Sequence, residues 1–86
     1  MEMFVGKLDK IRMINNDPLM ARFTVNLPKL KINCITSNGT LANKILMLPD
    51  GKYDVKVIGR FNKRKQLVVR AFEVINPDDM IKRLGI

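Results

Sequence analysis

Hydropathy along this chain changes period twice, and the order of those changes restricts the folds open to it. Residues 20–27 (MARFTVNL) alternate cleanly: Phe23, Val25 and Leu27 fall on one face, Arg22, Thr24 and Asn26 on the other. A two-residue period is the mark of a strand with one buried face. Residues 3–14 alternate through Phe4, Gly6 and Leu8, then slip by one to Ile11 and Met13. The slip and the mid-run glycine predict a long, bent strand. Asn15-Asn16-Asp17-Pro18 supplies turn chemistry between the two. A third alternating run covers 30–36, with Leu30, Ile32 and Cys34 inward and Lys31 and Asn33 outward.

After Ser37 the period lengthens. Leu41, Ile45 and Leu48 recur at helical spacing, with Thr36, Ser37 and Asn38 available as caps and Pro49 as a stop. Period two then returns over 52–60, with Tyr53, Val55 and Val57 on one face and Asp54, Lys56, Ile58 and Arg60 on the other. Residues 61–66 form a polar hairpin loop, and 67–75 the last strand. Asn76 as cap, Pro77 at the first helical position, Asp78 and Asp79 near the start and Gly85 as a stop predict a short C-terminal helix. Its apolar residues are Met80, Ile81 and Leu84. The division expected is a 1–75 barrel domain and a 76–86 helical tail.

Three strands, a helix, then two strands is the order of the OB-fold, a five-stranded Greek-key barrel whose helix joins strands three and four. The expected fold class is therefore all-β, with the helix plugging one end through Leu41, Ile45 and Leu48. An open α+β sheet with the helix on one face is the alternative.

Charge then points to a partner. Sixteen Lys and Arg against eight Asp and Glu leave a formal charge of +8 in 86 residues, which favours a polyanion. The plain alternative is a solvated basic surface. No histidine is present, which removes the usual general acid–base residues and the common zinc patterns. Asp9, Asp17, Asp50 and Asp54 show no paired or metal-ligating spacing. The lone Cys34 lies in an apolar run and reads as a small core residue. Neither enzyme chemistry nor a cofactor is expected. No apolar run reaches membrane-spanning length and no secretory signal is evident, so a cytoplasmic location without membrane partners is expected.

The chain resembles bacterial and phage-type single-stranded DNA-binding proteins. The likeness rests on Phe4-Val5-Gly6-Lys7-Leu8, on Ala21-Arg22-Phe23-Thr24-Val25, and on Gly59-Arg60-Phe61 followed by a basic hairpin and an apolar strand. It covers residues 3–75. The family's stacking tryptophans have no counterpart here, and neither does its long acidic-ended tail. In the second respect the chain is similar to the short primosomal replication protein B type. The resemblance implies non-enzymatic binding of single-stranded DNA in replication, recombination or transfer, assembly into a homo-oligomer through barrel surfaces, and contact with replication proteins.

The binding residues expected on an OB barrel lie along strands two and three and the flanking loops. Arg22 and Lys31 form a cation row on the outward surface. Lys63, Arg64 and Lys65 are the densest positive cluster, on the ligand-flanking loop. Lys56 and Arg60 approach the same end, with Arg70 answering from the fifth strand. Phe61 is the best stacking residue, against the alternative that it packs beneath the loop. With so few free aromatics, binding should lean on phosphate contacts and depend strongly on salt. Two other functions fit the same composition. One is RNA binding, since the charge argument is identical. The other is a protein-interaction module drawing on the six methionines, most of which are more simply core or end residues.

Overall fold

The computed structural model describes all 86 residues. Seven elements follow one another: β1 (Glu2–Asn16), β2 (Leu19–Asn26), β3 (Lys31–Thr36), α1 (Gly39–Leu46), β4 (Asp54–Phe61), β5 (Leu67–Val74) and α2 (Asp79–Leu84). The strands close into a barrel in the order β1-β2-β3-β5-β4. Closure removes the unpaired edges that an open sheet would expose, so the open α+β alternative is excluded.

The long first strand makes closure possible. β1 pairs antiparallel with β4 through Glu2–Lys7 and with β2 from Lys7 onward. Gly6 sits at this crossover, where a Cβ would run into the Asn26 carbonyl oxygen. Only glycine lets the two backbones approach that closely. The ring is completed by a short parallel contact, Cys34 opposite Leu67 and Ile35 opposite Val68.

Three bulges adjust which side chains face outward. β1 carries one extra residue between Asp9 and Arg12 and another between Met13 and Asn15. β5 carries one at Arg70, since Ile58 pairs with Ala71 and Gly59 with Val69. The first explains the slip in alternation. Leu8 and Ile11 are both in the core, and the Ile11 N–H donates to Asp50 Oδ1 at 2.8 Å.

The inward rows of all five strands form the core, with Phe23, Val25, Cys34, Tyr53, Val55, Val57 and Leu67 wholly or almost wholly buried. α1 closes one end with Ala42, Ile45 and the following Leu48 buried, and Leu41 packed against them. Asn38 caps it, its Oδ1 accepting the Leu41 N–H at 3.1 Å. α2 joins the same core through fully buried Ile81, with Leu84 and Ile86 against the cluster.

Three expectations need correction. Met13 is exposed, because that end of β1 is paired with β2 alone and has no strand on its other side. Leu30 is 54% exposed rather than inward. It precedes β3 in a tight turn, its carbonyl accepting the Leu27 N–H at 2.8 Å. The cap of α2 is Asp78, not Asn76. Asn76 Oδ1 instead accepts the Asp54 N–H at 2.8 Å, so Pro77 lies outside the helix.

Candidate nucleic-acid interface

Two depressions lie side by side on the outer surface of the barrel and share Lys31 and Asn33. The larger, about 530 Å³, is lined by Phe4, Leu30, Ile32 and Phe61, with Lys31, Asn33 and Lys65. The smaller, about 260 Å³, is lined by Lys10, Arg12, Arg22, Phe23, Thr24, Lys31 and Asn33. Together they make one channel across β2 and β3, apolar at one end and cationic at the other.

Strand register builds the cationic end. Arg12 lies opposite Arg22, Thr24 opposite Asn33, and Asn26 opposite Lys31. Like charges facing each other across strands destabilise a sheet when nothing neutral or anionic separates them. Arg12 is relieved by Asp50, at 3.4 Å. Lys10, Arg22, Lys31 and Lys65 take no part in the four ion pairs of the chain. Their charge is uncompensated along one channel, which is the arrangement an anionic chain neutralises. Thr24 and Asn26 are engaged with Asp9, through Thr24 Oγ1 to the Asp9 carbonyl at 3.2 Å and Asn26 Nδ2 to Asp9 Oδ2 at 3.4 Å.

The apolar end is set by Phe61 and Phe4. Phe61 ends β4 opposite Leu67 and continues the inward row past the rim, where it is 46% exposed. Phe4 meets it edge-to-face, ring centroids 5.9 Å apart at 67°. The Phe61 ring is therefore braced rather than buried beneath the loop, and it offers the kind of flat surface on which a base stacks. Beside it the β4–β5 loop is tied by Asn62, whose Oδ1 accepts the Arg64 and Gln66 N–H groups at 2.9 and 3.0 Å.

The nine residues expected to bind are thus divided. Arg22, Lys31, Phe61 and Lys65 meet in the channel. Lys63 and Arg64 are exposed at the tip of the adjoining loop without lining it. Arg60 is exposed on the outer face, opposite Val68. Lys56 lies elsewhere, in a shallow depression with Ile58, Ala71, Phe72 and Glu73, 4.0 Å from the Glu73 carboxylate. Arg70, the extra residue of β5, lines a separate cleft with Thr36, Ser37 and Asn38. Eight lining residues lie outside the expected set: Phe4, Lys10, Arg12, Phe23, Thr24, Leu30, Ile32 and Asn33. The slip in β1 was the available signal for Lys10 and Arg12, since a one-residue bulge exchanges the faces of everything around it.

No protein-family model matches the chain, and no curated protein matches it. Among solved structures it is similar to the SSB domain of a Synechococcus sp. protein, with a TM-score of 0.57 and 18% sequence identity over 85% of this chain and 94% of that one. The fold is an OB-fold. At this identity the likeness speaks for the barrel and its element order, and the site is read from this chain's own residues.

Proposed function

We propose that this protein is a non-enzymatic binder of single-stranded nucleic acid, with single-stranded DNA as the favoured ligand. The observation that carries the reading is the continuous channel in which Lys10, Arg22, Lys31 and Lys65 stand without ion-pair partners beside the exposed Phe61 ring. Phosphates would run along the cationic end, where charge neutralisation releases counterions. One base would enter the apolar end, between Phe61 and Leu30. The likeness to an SSB domain supports the same reading. A role in replication, recombination or transfer, a cytoplasmic location and a homo-oligomeric state belong to this proposal.

Titration of the intact chain with labelled single-stranded and duplex oligonucleotides at several salt concentrations tests it. Tighter binding to the single strand, weakening steeply with salt, is expected. Equal binding to both forms, or no binding at low salt, overturns it. Competition between DNA and RNA strands of matched sequence decides which sugar is preferred.

A further inference from the structure

Only two residues other than glycine hold a left-handed backbone, Lys10 at φ 51° and Lys65 at φ 62°. Both are lysines, both line the channel, and neither is in an ion pair. They come from opposite parts of the sequence and from unrelated local structures.

Lys10 sits in the first β1 bulge. Alternation from buried Leu8 would aim Lys10 into the core and Ile11 out of it. The left-handed turn at Lys10 skips one position. Ile11 takes the core place, held by its hydrogen bond to Asp50, while Lys10 and Arg12 both emerge in the cationic depression. Lys65 closes the β4–β5 hairpin, its N–H donating to the Asn62 carbonyl at 3.1 Å. Glycine is the residue these backbone positions ordinarily take, in a bulge and at the end of a short hairpin loop alike. A lysine adds nothing to the backbone geometry at either place. What it adds is an ammonium group in the channel.

We propose that Lys10 and Lys65 are ligand-gripping residues, one at each end of the channel, whose ammonium groups hold separate phosphates of the same strand. They occupy positions that glycine would fill with less strain, so their presence trades fold stability for binding. This rests on the channel being a nucleic-acid site.

The test uses the intact chain, a dye-labelled oligothymidylate, anisotropy titrations at several salt concentrations, and thermal melts. Lys10→Gly and Lys65→Gly should each melt at or above the parent temperature. Each should bind about fivefold or more weakly, with a log–log salt slope shallower by about 0.7, the loss of one phosphate contact on a single strand. Lys10→Asn and Lys65→Asn, which keep a residue tolerant of the left-handed region, should show the same losses. Lys82→Gln removes equal charge from α2, outside the channel, and should bind within about twofold of the parent. Glycine variants with parental affinity and slope overturn the proposal. So does a Lys82→Gln variant that weakens binding as much as they do. A parent chain that binds no oligonucleotide removes the functional reading itself, an outcome the parent titration separates from the others.

Discussion

Burial decides the chemistry of Cys34. Its side chain is fully enclosed, and desolvation of the thiolate pushes the thiol up to about 12. A thiol so placed is not a nucleophile at neutral pH. A disulfide reagent should therefore label the native protein far more slowly than the urea-unfolded chain, and equal rates would contradict the burial. Phe61 lies at the other extreme, half exposed with its ring edge-to-face against Phe4. Phe61→Ala should weaken binding of a single strand by about 1–3 kcal/mol, the usual worth of one stacked base. Its melting temperature should stay close to that of the parent. A variant that melts much earlier and still binds would make Phe61 a packing residue instead. That Phe61 is free was not legible in the sequence, since its inward parity suits a core residue equally well. Its exposure arises from its place at the end of β4, beyond the last layer that the barrel encloses.

At the scale of elements, α2 shows how a helix too short to stand alone is held in place. Its cap, Asp78, accepts the Ile81 N–H at 3.1 Å and the Tyr53 hydroxyl at 2.9 and 3.0 Å, and lies 3.2 Å from Lys52 Nζ. The Ile81 N–H and the Tyr53 hydroxyl, with the nearby lysine, hold the Asp78 carboxyl down at about 2, against an ordinary 3.8. A carboxylate with a depressed folded-state value stabilises above its unfolded value, and that contribution is lost as pH falls through the folded one. The Asp78 contribution should therefore be intact above about pH 4 and fade toward pH 2. Asp78→Asn should flatten that part of the acid melting profile, and an unchanged profile would show that the cap carries no such linkage. Ile81→Ala removes a fully buried side chain from the same docking site and should cost about 2–5 kcal/mol, read from urea unfolding. The helix itself was legible from its capping and dipole pattern. Which residue capped it was not, because Asn76 was drawn away by the Asp54 N–H on β4, a partner distant in sequence.

For the whole molecule, the charge that matters is the part left unpaired in one place. Four free cations in the channel, each neutralising one phosphate at about 0.7 in log–log slope, predict a slope near −3. Affinity for a single strand should then fall roughly fiftyfold between 50 and 200 mM salt. A slope near zero would deny the channel its electrostatic role. The net charge of +8 and the alternation of periods can be read directly from the chain, and with them come the order of elements and most of the inward-facing residues. Hydrophobic periodicity is local, so it determines which face of a strand is buried without reference to the rest of the protein. Bulges and barrel closure are not local. They depend on which strands meet and on the one-residue steps between them. Those steps turned Lys10 and Arg12 into the channel and set Lys56 opposite Glu73, while Arg70 lines another cleft. The sequence alone therefore determined that this is a basic chain of five strands with a helix after the third. The tertiary pairing decided which of its cations share a surface, because a shift of one residue reverses the face on which a side chain emerges.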